Sequence, residues 1–296
     1  MTAFIDLHIH TTASDGSDSP FQVVEKAHLL GLQAIGITDH DTVHGVAEAL
    51  EAGSRIGIEV VPGVEISCQW KRRSIHLLGY YFDLENPGIS RLLEGMRRGR
   101  TQRLPKMLAK LRQLGIDIDR KEVEAEAKGE AIGRPHLAQI MVRRGYVSSF
   151  EEAFEKYLGY GRPAYAQRPR PTIAEGVQTI LDAEGLPIIA HPLTIDAPIR
   201  EVLQDICPMG LQGVEHLYPY QYLSGRSQEW YDSVPRRLAH LKQLAEQYDL
   251  VLSGGSDYHG TIEGKAPLGS AQVPYEILQG LQDRYQDLFG HLPNSA

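Results

Sequence analysis

Short apolar runs in this chain end, one after another, on a histidine or a carboxylate, and few folds gather such run-ends in one place. The first is Phe4-Ile5-Asp6-Leu7-His8-Ile9-His10, followed by Asp15 in Ser14-Asp15-Gly16. The second is Ile35-Gly36-Ile37-Thr38-Asp39-His40-Asp41. Glu65 follows Val61-Pro62-Gly63-Val64, His76 follows Ile75, His191 follows Ile188-Ile189-Ala190, and Gly255-Ser256-Asp257-Tyr258-His259 closes the series. Six of the 12 histidines are placed in this way, with three carboxylates. Each run has the length of one buried strand. In a closed β/α barrel the strand ends share the face that carries the chemistry. The pattern predicts a metal cluster in a barrel mouth.

Side chains two apart on a strand point the same way, about 7 Å apart at Cα. His8 and His10 can therefore converge on one ion, and Asp257 and His259 can reach adjacent ones. Imidazole and carboxylate without thiolate suit Mn, Fe or Zn, and argue against a structural zinc site. Three carboxylates against three divalent ions leave roughly +3, which attracts an anion, phosphate first. One such pair alone is as often structural as ligating; the whole set, in strand-end context, argues for metal.

The segments between the runs read as helices. Ser19-Pro20 is an N-cap followed by proline at the first helical position, and Gly31 is placed to end that helix. A strand over 32–38 leads to a helix over 43–56 that Gly57 stops, then to strands over 59–67 and 74–82. Thr172-Ile173-Ala174-Glu175 is a capping box that restarts the alternation, with strands over 186–190, 213–217 and 250–254. Seven strands alternating with helices make an α/β barrel over 1–87 and 171–296. Between them, residues 88–170 lose the strand rhythm and read as helices over 89–114, 122–128, 135–144 and 150–158, an inserted helical domain.

Charge separates the two parts. The chain carries −8 overall, yet residues 88–170 hold 18 Lys and Arg against 10 Asp and Glu, leaving −16 for the remainder. An acidic body disfavours nucleic-acid binding through its bulk field, so no stable DNA partner is expected. A basic insertion near a metal mouth can still steer an anion locally. Arg97, Arg98, Arg100 and Arg103 are as well explained by a solvated helix surface. The 296 residues are 42% hydrophobic, enough for one large core. Two cysteines without a CxxC pair favour a reducing compartment. No apolar run reaches membrane-span length and no signal-peptide pattern opens the chain, so a cytoplasmic enzyme is expected.

Taken together, Asp6-Leu7-His8-Ile9-His10, Ser14-Asp15-Gly16, Thr38-Asp39-His40-Asp41, Gly63-Val64-Glu65, His76, Ala190-His191-Pro192 and Gly255-Ser256-Asp257-Tyr258-His259 resemble the PHP (polymerase and histidinol phosphatase) metal-dependent phosphoesterases. The resemblance runs from end to end. It implies a distorted seven-stranded β/α barrel holding two to three divalent ions (Mn, Zn or Fe). It also implies that His8, His10, Glu65 and Asp257 hold one ion, Asp15, His40 and His259 a second, and Glu65, His76 and His191 a third, with Glu65 bridging. Some members of the family carry histidine where Asp15 stands, so the second ion here would have a more oxygen-rich shell.

Two stretches of the insertion suit a phosphorylated substrate. Gly133-Arg134-Pro135-His136 starts a helix with an arginine, so free N–H groups and a bidentate fork could meet a phosphate. Gly159-Tyr160-Gly161-Arg162-Pro163 puts a cation in a glycine-rich connector. Both resemble segments of PHP enzymes that dephosphorylate nucleotide bisphosphates or trim short RNA from the 5′ end, several of which have lysine in place of Arg162. The resemblance thus implies substrate contacts for Arg134, His136 and Arg162. Catalysis is expected from a hydroxide that metals generate near neutral pH, with Arg134 taking up charge on the phosphoryl oxygens. Asp15 is included among the catalytic residues, and the acid for the leaving oxygen stays open between His136, His191 and a water on the metals.

The leading expectation is a phosphoesterase acting on a small nucleotide or short RNA, which the resemblance implies to be a 3′,5′-nucleotide bisphosphate phosphatase or a 5′→3′ oligoribonuclease as well. Histidinol phosphate phosphatase, a metal-dependent amide hydrolase and a non-catalytic nucleotide sensor are the alternatives. Elsewhere, His28, His240 and His291 take structural readings, and His44 is a weak candidate near the mouth. Alternation leaves the inward residue of the 213–217 strand undecided between Glu215 and His216. Asp41 is a candidate to orient a ligating imidazole.

Overall fold

The computed structural model describes residues 3–127, 133–167, 169–261 and 264–293. Its elements run β1 (Phe4–Ile9), α1 (Pro20–Leu29), β2 (Ala34–Ile37), α2 (Val46–Ile56), β3 (Glu59–Trp70) and β4 (Arg73–Tyr80). There follow α3 (Pro87–Gln113), α4 (Arg120–Glu126), α5 (Arg134–Arg143), α6 (Phe150–Ala153), α7 (Ile173–Asp182) and β5 (Leu186–Ile189). The chain ends with α8 (Ile199–Ile206), β6 (Gly213–Leu217), α9 (Gln228–Gln247), β7 (Val251–Gly254), β8 (Val273–Pro274) and α10 (Glu276–Phe289). Two compact units result, one of Met1–Leu92 with Pro171–Ala296, the other of Leu93–Arg170.

In the first unit one sheet runs in the order β7-β6-β5-β4-β3-β2-β1-β8. Eight strands stand where seven were expected. The extra one, β8, is two residues long and pairs antiparallel with β1 through Phe4–Pro274 and Ile5–Val273. A two-residue strand has no periodicity to read, and its proline is tolerated because it lies at the edge. Beyond β7 the chain returns to β1: the Tyr258 N–H donates to the His8 carbonyl at 3.3 Å, and the His10 N–H to the Tyr258 carbonyl at 2.8 Å. Gly255 makes this crossing possible, since a Cβ there would lie 2.3 Å from the His8 nitrogen.

The strand directions depart from a uniformly parallel barrel. β1, β2 and β3 are parallel, as are β5, β6 and β7, but β4 is antiparallel to both its neighbours. A two-residue turn at Lys71, with φ 52°, joins β3 to β4 directly. Glu65 therefore sits midway along the 12-residue β3, and His76 midway along β4 opposite Ser67, rather than at strand ends.

Local chemistry sets the helix limits. Ser19 accepts from the Gln22 N–H while the Gln22 side chain accepts from the Ser19 N–H, with Pro20 opening α1. Thr172 and Glu175 cap α7 in the same way, and Gly57, at φ 84°, ends α2. The apolar faces of α1 and α2 (Val23, Val24, Ala27, Ala49, Ala52) meet Ile35, Ile37 and Val60 in one buried cluster. Each large aliphatic side chain buried there is worth about 1.5–3 kcal/mol.

The second unit, which α3 enters from the first, has its own core around Met107, Leu111, Val123, Leu137, Ile140 and Leu158. Ion pairs from Arg143 (3.3 Å) and Arg144 (2.6 Å) to Glu122 tie α5 to α4. After α6 the chain makes a π-helical turn over Phe154–Leu158. Lys128, at the end of the helix expected over 122–128, lies outside the described residues. Among the described residues no helix is long and apolar enough to cross a membrane.

Candidate metal centre

β1 sends His8 and His10 inward together, and both are fully buried. The chain after β2 stays alongside β3, with the Asp41 N–H donating to the Glu65 carbonyl at 2.9 Å and the Glu65 N–H to the Asp39 carbonyl at 3.2 Å, and this fixes His40 beside Glu65. β4 supplies His76, the chain after β5 His191, and the chain after β7 Asp257 and His259. Glu65 stands at the centre of the histidines. Its carboxylate lies 2.8 Å from His40 Nδ1, 2.8 Å from His76 Nδ1, 3.0 Å from His191 Nε2, 3.3 Å from His10 Nε2 and 3.5 Å from His8 Nε2.

Three sets have donor atoms within 4.8 Å of one another: His8, His10, Glu65 and Asp257; His10, Asp15, His40 and His259; and His40, Glu65 and His76. His10 and His40 each join two sets. His191 meets Glu65 but falls outside the third set, which His40 completes instead. A test of fit comes from the polar atoms. His8 Nε2, both ring nitrogens of His10 and Glu65 Oε2 are buried and make no hydrogen bond among the described residues. Interiors rarely tolerate one such group, and here they face a common centre. Divalent cations satisfy imidazole nitrogens and carboxylates arranged in this way.

Without metal, protons take the cations' place. Burial alone would depress His8 and His10, but Glu215, Glu65 and Asp257 hold His8 well above the ordinary imidazole range, and Asp257 and Glu65 raise His10 to about 9. His191 is raised too, its hydrogen bond to Glu65 overcoming burial. Burial takes His76 the other way, to about 4, and burial with Lys265 and His10 takes His259 to about 3. Burial also opposes ionisation of Glu65, Asp257 and Asp15, yet the surrounding histidines keep all three ionised far below the usual carboxylate range.

Several groups that hold this cluster were not assigned from sequence. Glu215 is the inward residue of β6: fully buried, it bonds His8 Nδ1 at 2.9 Å and accepts from the His191 N–H at 2.6 Å. His216 faces the other way, toward the Leu238 carbonyl. Asp39 accepts from the Thr11 N–H and hydroxyl and the Ser14 hydroxyl at 2.6–2.8 Å, shaping the loop that carries Asp15. Asp41, which the sequence did single out as a candidate to orient an imidazole, receives the Ser67 N–H at 2.8 Å. Asp6 fastens the chain after β7 to β1 through the Ser256 and Gly269 N–H groups, each at 2.8 Å. His191 (φ 29°), Asp257 (φ 55°) and Asp41 (φ 58°) hold left-handed backbone, a strain that clusters at functional sites. His44 is exposed.

Arg134, His136 and Arg162 belong to the second unit. Arg134 opens α5 and donates to the Leu158 carbonyl at 3.2 Å, its guanidinium over the Phe154 and Tyr165 rings at 5.4 and 5.8 Å. His136 is buried and accepts the Gly133 N–H at Nδ1, 3.1 Å away. Arg162 is exposed in the turn after Gly159. The α3 arginines singled out from sequence divide: Arg98 pairs with Glu94 on the surface at 2.9 Å, whereas Arg100 and Arg103 are buried, against a purely solvated reading.

The PHP domain pattern matches residues 6–163. The chain is 36% identical over 262 residues to a 5′-3′ exoribonuclease of Haemophilus influenzae, covering 88% of this chain and 91% of that protein. It is 32% identical over 275 residues to a 3′,5′-nucleoside bisphosphate phosphatase of Chromobacterium violaceum, covering 91% and 92%. A Bifidobacterium adolescentis protein assigned as a metal-dependent phosphoesterase superposes with a TM-score of 0.83 at 30% identity, over 98% of this chain and 99% of that one.

Proposed function

The chain belongs to the PHP domain family, and on that premise we propose that it is a metal-dependent phosphoesterase that removes phosphate from 3′,5′-nucleoside bisphosphates and trims short RNA from the 5′ end. The observation that carries the reading is the convergence of six histidines and three carboxylates around Glu65, among them His8 Nε2, both ring nitrogens of His10 and Glu65 Oε2, which are buried and make no hydrogen bond among the described residues. Similarity to both a bisphosphate phosphatase and an exoribonuclease supports the choice of substrate.

We assign His8, His10, Glu65 and Asp257 to one divalent ion, Asp15, His40 and His259 to a second, and Glu65, His76 and His191 to a third, with Mn, Fe or Zn as the metals. Bound ions there would acidify water and accept charge on phosphoryl oxygens. The chain's own groups orient that chemistry. Glu215 fixes the tautomer of His8 by engaging Nδ1, leaving Nε2 as the donor. Thr194 does the same for His191 by meeting its Nδ1 at 3.0 Å. Arg134, His136 and Arg162 are proposed to bind substrate phosphate, Arg134 through a bidentate fork that its two aromatic neighbours keep in place. His136 would return a proton to the leaving oxygen, since His191, a ligand through Nε2 with Nδ1 held by Thr194, has no ring nitrogen left for that role. A reducing, cytoplasmic setting suits the two free cysteines, Cys68 and Cys207.

The test is phosphate release by Mn-reconstituted protein from a panel of 3′,5′-bisphosphate, plain mononucleotide, histidinol phosphate and short 5′-phosphorylated RNA. Turnover of the first and last, abolished by chelator, is expected. Preference for histidinol phosphate, or tight nucleotide binding without release from any member, would replace this reading.

A further inference from the structure

The first unit is acidic, and its cations are few: of the 12 Lys and Arg outside residues 88–170, four are Arg200, Arg226, Arg236 and Arg237. These four converge on one edge of the barrel. The start of α8 and the middle of α9 enclose a cavity of about 610 Å³ that Arg200, Arg236, Arg237 and His240 line, with no Asp or Glu in its wall. A space of this size accommodates a nucleotide. Arg200, Arg236 and His240 have no hydrogen-bond or ion-pair partner among the described residues. The nearest acids on these helices are engaged elsewhere: Glu201 pairs with Lys71 at 2.7 Å, and Asp232 accepts from Gln228 at 2.9 Å. Arg200 and Arg236 are exposed, so an anion entering from solvent can reach both guanidinium groups, each of which offers a bidentate phosphate fork.

The cavity is physically joined to the metal centre. Arg237 donates to the carbonyl of Leu193, two residues beyond His191, at 3.1 Å. A file of aromatic rings covers the same ground. Tyr218 donates its hydroxyl to Asp257 at 3.0 Å and lies 5.6 Å from the His191 ring. Tyr220 follows at 4.7 Å and Trp230 at 6.0 Å, with Arg226 and Arg237 over the indole at 5.1 and 5.4 Å. Tyr222, in the same segment, is 41% exposed. Tyr220 is buried, so the file is packing that ties the arginines to the metal centre, and stacking falls to the exposed Tyr222; cations together with exposed aromatics are how proteins hold single-stranded nucleic acid.

Building on the exoribonuclease reading above, we propose that this edge of the barrel is a track for single-stranded RNA: Arg200, Arg236, Arg237 and His240 bind phosphodiesters downstream of the one at the metals, and Tyr222 stacks an unpaired base. A substrate with a single nucleoside does not reach the track. A longer strand does.

The first measurement is binding of octauridylate, its 5′ end blocked with fluorescein so that turnover plays no part, to the Mn-reconstituted protein by fluorescence anisotropy. Arg200→Ala/Arg236→Ala should weaken it tenfold or more and flatten its salt dependence, with much of the loss recovered in Arg200→Lys/Arg236→Lys. Tyr222→Ala should weaken it fivefold or more. The second measurement is kcat/KM, where the Ala pair should lose tenfold on a 5′-phosphorylated octamer and less than twofold on a 3′,5′-bisphosphate, which also shows that the variant is folded. Equal octamer binding by wild type and the Ala pair would overturn the track, as would equal loss on octamer and bisphosphate. Competition by a mononucleotide or a duplex as effective as by the octamer would overturn it too. If the wild type hydrolyses no phosphate ester yet the Ala pair still loses octamer binding, the track stands and the enzymatic reading is what fails.

Discussion

Glu65 is the residue on which the centre turns, because five imidazoles meet its carboxylate. Glu65→Gln keeps the size and removes the charge, so loss of at least one ion and near-abolished turnover are expected. Full metal content by elemental analysis together with the wild-type rate would end its role as a bridge. A second residue-scale expectation follows from His10. Its raised value, about 9, means that the metal-free protein carries a proton there at pH 7.5, which a metal must displace. Apparent metal affinity should therefore rise with pH through about 9. Calorimetric titration of the metal-free protein at pH 7.5, in buffers of different ionisation enthalpy, should show net proton release. A heat independent of buffer would mean that the imidazoles are already neutral.

At the scale of elements, the strands that carry these residues were legible because each parallel strand announces itself as an apolar run stopped by a polar residue. Two features were hidden. The reversal of β4 depends on a two-residue turn at Lys71-Arg72, which lacks the Asn-Gly or Gly that marks such turns, so His76 read as a strand-end residue. The inward side of β6 was ambiguous because Glu215 and His216 are both plausible at a metal site, and only the bond to His8 Nδ1 separates them. The start of α5 carries its own prediction. Arg134→Ala should cost about 1.5–3 kcal/mol if the guanidinium makes a charge-assisted phosphate contact, roughly one to two decades in kcat/KM. Metal content should not change, since all nine candidate ligands lie on the other unit. The loss should be greater on a bisphosphate than on an aryl phosphate. No loss on either substrate would leave Gly133–Leu137 as an ordinary proline-started helix.

At the scale of the whole molecule, bulk charge and local charge make opposite predictions. The chain carries −8, and a uniform field of that sign repels RNA, so added salt would screen the repulsion and raise the rate. The cations are not uniform, however: residues 88–170 carry +8, and four of the remaining twelve Lys and Arg stand together at one edge of the barrel. If those local fields govern association, kcat/KM on a short 5′-phosphorylated RNA should fall as salt rises. Each phosphate contact contributes a slope of about −0.7 in log–log form, so two or three contacts give about −1.4 to −2.1. A small aryl phosphate, with one anionic group and no chain, should show a much shallower slope on the same protein. The measurement is a salt series on both substrates at fixed metal saturation. A rate on RNA that increases with salt would show that the acidic body governs encounter, and would count against both the helical unit and the barrel edge as sites for the RNA backbone.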